Sequence, residues 1–155
     1  MNSITYKTAT SSDIKQIANL MVKLHEDLTI EEAVVEAKYF LEKDVLIVAS
    51  DKDKIVAYTH GAIRHDYVEG SLQYKNPKAG YIESLYVLEA YRKQGIAKKL
   101  CKLLEEWVVK QGATELASDA YATNHASIAF HKAIGLEATE PIIHFIKQLK
   151  GEEAK

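Results

Sequence analysis

The stretch from Tyr81 to Lys99 holds the residues in this chain best suited to chemistry. A β-rich run ends near Leu88, the basic loop Arg92-Lys93-Gln94-Gly95-Ile96-Ala97 follows, and a long helical pattern begins. A strand, a short glycine-containing basic loop and a helix start make an anion site in physical terms. The N–H groups of a first helical turn have no intrahelical partners, and the helix dipole adds partial positive charge at that end. Gly95 lets a ligand reach the backbone without a Cβ in the way, and Ala97 is small enough to do the same. Arg92, Lys93 and Lys98 add full charges. The loop lacks the Gly-Lys-Ser/Thr ending of a Walker motif and the three glycines of a dinucleotide fingerprint. Taken alone, it describes an ordinary helix start equally well.

The elements that must position this loop are legible from periodicity. Ile4 to Ala9 reads as a first strand, and Ser11, Ser12 and Asp13 offer N-cap chemistry. Ile14, Ile17, Ala18, Met21, Leu24 and Leu28 recur at helical spacing, and a second helix carries Ile30, Ala33, Val34, Ala37, Phe40 and Leu41 on one face. Val45 to Ser50 and Ile55 to Ile63 flank the polar turn Asp51-Lys52-Asp53-Lys54, which predicts a hairpin. Asp66 to Lys78 is a polar excursion with Gly70, Asn76 and Pro77, and Tyr81 to Leu88 is a fourth strand. Gln94 to Lys110 is a helix that Gly112 stops, Thr114 to Ser118 a fifth strand, Asn124 to Ile134 a helix ending at Gly135. Ile142 to Leu149 is expected to close the sheet, and the charged tail from Lys150 to fray. The order β-α-α-β-β-β-α-β-α-β mixes hairpins with helical crossovers. It implies an α/β (α+β) fold with a mixed central sheet flanked by helices.

The chain of 155 residues suits one domain, residues 1–155. Apolar residues make up 47% and charged residues 27%, as in ordinary globular proteins, and the net charge of -2 gives no reason to expect nucleic acid as a partner. The apolar runs are strand-sized, so no membrane span is expected, and neither is a secretory leader. Cys101 is the only cysteine, which rules out an internal disulfide and suits a reducing cytoplasm; on a helix face it reads as a small apolar residue.

The loop Arg92-x-x-Gly95-x-Ala97 after a strand resembles the pyrophosphate loop of the GNAT acetyltransferases. Glu83-Ser84-Leu85-Tyr86-Val87 resembles that family's fourth strand, Asn124 opens a helix after the fifth strand, and Phe130 to Leu136 resembles its aromatic-Tyr-x-x-x-Gly-Phe segment. These features fall in order over residues 45–148. A narrower set, Arg64-His65-Asp66-Tyr67-Val68-Glu69-Gly70, Ile82-Glu83, Ala117-Ser118-Asp119 and Glu137 to Glu140, is similar to the aminoglycoside 6'-N-acetyltransferases. The chain departs from these relatives at His131, where many carry tyrosine, at Val22, where tryptophan is usual, at Ser84, where the subgroup has glycine, and at Glu89, where proline is usual.

The resemblance implies direct transfer of acetyl from acetyl-CoA to a primary amine in a ternary complex, with no metal, and points to antibiotic resistance as a role. By this analogy Leu85, Tyr86 and Val87 hold the pantetheine, Lys93, Gln94, Gly95, Ile96, Ala97 and Lys98 hold the pyrophosphate, and Asn124 contacts the cofactor arm. An ammonium cannot attack, so a proton must leave; Glu83 and Asp119 are the carboxylates able to accept it, with the division of labour between them open. Each reads equally as a surface charge or local cap on type alone. His25, Tyr67, Glu83, Asp119 and Glu140 match the family's substrate contacts. A polyamine, amino acid or peptide amine is the alternative acceptor, and a non-catalytic acetyl-CoA-binding module the alternative class. A homodimer is expected on the same analogy.

Overall fold

A computed structural model describes residues 3–150. Met1, Asn2 and the charged tail beyond Lys150 lie outside the described residues. Five strands form one sheet in the order β1-β2-β3-β4-β5: β1 (Ile4–Thr8), β2 (Val45–Asp51), β3 (Lys54–Arg64), β4 (Ala79–Val87) and β5 (Leu116–Ala117). The first three junctions are antiparallel and β4–β5 is parallel. That mixture follows from the connections. The β2–β3 link is a tight turn with Lys52 at φ 58, whereas β4 reaches β5 by way of a helix.

Helices α1 (Ile14–Leu24) and α2 (Ile30–Lys43) cover one face, and α3 (Ile96–Lys110) covers the other. Strand alternation feeds both layers. Val45, Ile47 and Ala49 pack with Leu100, Leu104 and Val108 of α3, while Leu46 and Val48 pack with Ile17, Met21, Ala33 and Ala37 of α1 and α2. A strand buried on both sides is therefore apolar throughout, as Val45 to Ala49 is. Helix α3 lies tightly on its face: a Cβ at Gly80 would come within 2.3 Å of Val108, and one at Gly61 within 2.2 Å of Leu104. Cys101 is buried in that layer, and burial pushes its thiol up to about 11, as suits a packing residue. The fourth helix, α4 (His125–Ala133), follows β5; the Asn124 side chain caps it by accepting from the Ser127 N–H at 3.1 Å.

Helix α1 stops at Leu24 rather than running on to Leu28. His25 is extended (φ -120, ψ 93), and its N–H closes the helix on the Met21 carbonyl. Thr29 and Glu32 form a capping box that starts α2 five residues later. Strand β5 is two residues instead of the expected five.

The expected last strand does not form. Residues 142–149 belong to no helix or strand, and Ile142, Ile143, Phe145, Ile146 and Leu149 are all exposed. Their composition suits a strand, but a strand needs an edge to pair with. The two-residue β5 offers almost none within this chain.

Beta-strand 4 carries the irregularity that matters most. His60 pairs with Ser84 and Gly61 with Ile82, so Glu83 is an extra residue bulging out of the ladder. The bulge reverses the strand's phase. Gly80 and Ile82 face α3 before it, and Leu85 and Val87 face α3 after it, which turns Tyr86 toward the α1–α2 layer.

Candidate active site

Two regions meet around β4. Toward α3, pairing between β4 and β5 covers only Gly80–Leu116 and Tyr81–Ala117. From Ile82 to Val87, one edge of β4 has no neighbouring strand among the described residues. Leu85, Tyr86 and Val87, assigned to the cofactor in sequence, lie along that open edge. Arg92 turns back and donates from Nε to the Val87 carbonyl at 2.8 Å, so it braces the loop onto the strand end. Lys93 (φ 63) and Gly95 (φ 85) are both left-handed, which coils the loop tightly before α3. Gly95 is the N-cap of α3 and has no side chain to satisfy the first-turn N–H groups. An added Cβ there would meet nothing within 4 Å, so its surroundings are open; the backbone angle is what requires glycine.

The cofactor residues thus fall together, in differing capacities. Lys93, Gln94 and Lys98 are exposed at the loop, and Ala97 is half-buried. Ile96 is buried in the core, so only its N–H faces the open corner. Asn124, at the start of α4, uses its Oδ1 as a cap, leaving its amide N–H groups to donate.

Midway along β4, the bulge presents Glu83 to Arg64 at the end of β3. Arg64 Nε donates to Glu83 Oε2 and Nη2 to Oε1, both at 2.7 Å, a bidentate pair. The guanidinium lies 3.6 Å from the centroid of the Tyr81 ring. The hydrogen bonds to Glu83 and its negative charge raise the Arg64 pKa above its ordinary value, against the opposing effect of burial. Tyr81 in turn donates its hydroxyl to Asp119 Oδ2 at 2.8 Å. Burial, followed by that bond to Asp119, pushes the phenol up to about 12, so it stays a donor through neutral pH. Glu83 and Asp119 therefore come together, through Arg64 and Tyr81.

The remaining substrate-side residues spread outward. His25 lines an open depression of ≈ 460 Å³ with Asp27, Leu28, Glu32 and Glu36. Tyr67 is 43% exposed in the loop after β3 and stacks on Tyr74 with centroids 5.8 Å apart. That loop is tied down by Glu115, which accepts from Ser71 Oγ at 2.6 Å and from the Leu72 N–H at 3.0 Å. Glu140 is exposed.

His131 has both ring nitrogens engaged. Nδ1 lies 2.7 Å from the Ser127 carbonyl, which can only accept, so Nδ1 carries a proton. Nε2 lies 2.8 Å from Ser118 Oγ, next to Asp119 in the chain. On the α1–α2 face, buried His60 bonds Asp44 at 2.8 Å and stacks on Phe40 at 3.8 Å.

Sequence reasoning did not single out Tyr81, His60 or Asp44, and it treated Arg64 and Ser118 only as parts of motifs. An arginine at a strand end beside a β4 carboxylate was the available signal. Reading it required the register, which the bulge sets.

Comparison with known proteins agrees with this geometry. The model of the acetyltransferase (GNAT) family matches residues 14–136. An aminoglycoside N(6')-acetyltransferase type 1 of Acinetobacter baumannii is 30% identical over 151 residues, covering 96% of this chain and 99% of that protein. The ligand-free crystal structure of an aminoglycoside antibiotic 6'-N-acetyltransferase from Acinetobacter haemolyticus superposes with a TM-score of 0.84 at 29% identity, over 94% of this chain and 99% of that one. An aminoglycoside N-acetyltransferase in complex with CoA shares the fold at a TM-score of 0.88, with 23% identity over 96% and 97% of the two chains. The open β4 edge, the left-handed loop at α3 and the family match agree: this chain belongs to the GNAT acetyltransferase family.

Proposed function

We propose that this protein transfers an acetyl group from acetyl-CoA to the 6'-amine of an aminoglycoside, as a single catalytic domain. The observation that carries the reading is the near full-length likeness to an aminoglycoside N(6')-acetyltransferase, joined to a site with an anion corner on one side and carboxylates on the other.

The donor corner fits the coenzyme chemically. Its outward N–H groups and exposed Lys93 and Lys98 suit a diphosphate, and the unpaired β4 edge suits an amide-bearing arm. Acetyl-CoA supplies the activated acetyl group. Lys93 to Lys98 bind and orient it, Leu85 to Val87 align it along the strand, and Asn124 donates from the facing helix.

The acceptor corner suits a polycation. Asp119 is exposed and takes one hydrogen bond from Tyr81, so it can receive an ammonium or its proton. Glu83 faces the same space from the bulge. His25 with Asp27, Glu32 and Glu36 adds acidic surface at the α1–α2 turn, Tyr67 offers an aromatic face, and Glu140 supplies a further carboxylate. His131 holds Ser118 and thereby the end of β5.

The exposed apolar residues from Ile142 to Leu149 support a homodimer in which each chain's last segment pairs with its partner. A sedimentation mass equal to a single chain would contradict this. No helix among the described residues is long and apolar enough to cross a membrane, and a cytoplasmic location completes the reading. The decisive experiment is thiol release from acetyl-CoA with kanamycin, tobramycin, spermidine and a peptide amine as acceptors. Turnover on the aminoglycosides is expected; turnover on spermidine alone would refute this acceptor.

A further inference from the structure

The structure assigns to Arg64 and Tyr81 a positioning role: together they fix Glu83 of β4 and Asp119, which follows β5, as one rigid pair. The inference rests on the function proposed above and deepens it.

The geometry is specific. Arg64 pairs with Ala79 in the sheet, and Ala62 pairs with Tyr81. The Arg64 side chain therefore runs back along the sheet, across the Tyr81 ring, to reach Glu83 at the bulge. A bulge residue has no ladder neighbour to hold its side chain, so a long carboxylate there is free to swing unless something clamps it. Arg64 supplies the clamp with two bonds in a fixed fork. Arginine is itself flexible, and the Tyr81 face against which it stacks removes that freedom.

Tyr81 is only 7% exposed and thus immobile. Its hydroxyl end reaches Asp119, which follows a strand of only two residues and has little ladder of its own. One ring thus serves both carboxylates, through its face to Arg64 and Glu83 and through its hydroxyl to Asp119. Arg64 also neutralises Glu83, so two acids can sit on either side of one ring without repelling each other fully.

The consequence is a geometric division. Each Glu83 oxygen already accepts one bond from Arg64, leaving its outward lone pairs as the part that meets the amine or a water. Precise placement of such groups matters most for turnover.

The test uses Arg64→Gln, Arg64→Lys and Tyr81→Phe in the full-length enzyme, with the aminoglycoside that wild type acetylates best. Arg64→Gln is expected to lower kcat by about tenfold or more, with the acetyl-CoA KM within about twofold of wild type. Lysine keeps charge but loses the fork, so Arg64→Lys should rescue less than half of that loss on a logarithmic scale. Tyr81→Phe keeps the stacked ring and loses only the Asp119 bond, so its smaller kcat loss should disappear in an Asp119→Asn background. Likewise, Arg64→Gln should add little to Glu83→Gln.

Full additivity of these pairs, or wild-type kcat in Arg64→Gln, overturns the proposal while leaving the acetyltransferase reading intact. A wild type inactive on every aminoglycoside and on every other amine overturns both. If Arg64→Gln does not fold, Arg64→Lys and the Tyr81–Asp119 cycle decide the outcome by the same criteria.

Discussion

The two halves of the site are built from different materials. The donor corner is largely backbone: left-handed Lys93 and Gly95, the first turn of α3 and an unpaired strand edge. The corner proposed for the acceptor is largely side chain: Glu83, Arg64, Tyr81 and Asp119, joined by direct contacts from β3, β4 and the turn after β5. Backbone groups cannot be exchanged by point substitution, so the donor corner is constrained mainly through glycine and chain direction. Side chains can be exchanged one at a time, so this is the half on which acceptor preference can change without disturbing the coenzyme.

Substitution can separate the two. The largest effect is expected for Asp119→Ala and Glu83→Ala, each lowering turnover by about a hundredfold or more, in the range typical for proton transfer and charge placement. Acetyl-CoA binding measured by calorimetry should stay unchanged in both. Weakened coenzyme binding in either variant would mean that the corners are not independent. Gly95→Val should act in the opposite sense. A branched side chain at φ 85 costs about 1–3 kcal/mol of strain, enough to weaken coenzyme affinity by roughly tenfold. Isothermal titration with CoA checks it, and unchanged affinity would show that the loop does not hold the ligand.

The smallest effect is one of pH. Hydrogen bonds from Ser71 Oγ and the Leu72 N–H hold the Glu115 carboxyl below its usual range, slightly offset by burial. Its folded pKa is depressed, so its contribution is complete above the ordinary carboxyl value. It is lost as pH falls through the lower folded value. The loop that carries Tyr67 should thus loosen in mild acid before the sheet does. Hydrogen exchange of residues 66–78 at pH 4 and pH 7 would detect it, and Glu115→Gln should loosen the same loop already at pH 7.

Where local chemistry dictates structure, the chain was readable. The β-rich run from Val45, the helical spacing of α3 and the glycine before it marked these elements and the loop that opens α3, because each depends on neighbours in sequence. The periodicity of Leu24 and Leu28 suggested an unbroken first helix, whereas the Thr29-x-x-Glu32 capping box, which the sequence reading passed over, starts a second one. Ile142 to Leu149 had strand composition without a pairing strand among the described residues, and composition cannot supply an edge. The Arg64–Glu83 pair was hidden for a different reason. Strict alternation aligns residues two apart, and the bulge at Glu83 breaks that count, so neither its partner nor its direction followed from the pattern.

That interruption also separates the demands of folding from those of chemistry. On each side of Glu83, β4 commits residues to the hydrophobic layers: Gly80, Ile82, Leu85 and Val87 to that of α3, and Tyr86 to that of α1 and α2. The inserted position answers to neither layer. A change of side chain at that point would therefore leave both cores packed, and what it would disturb is the fork to Arg64.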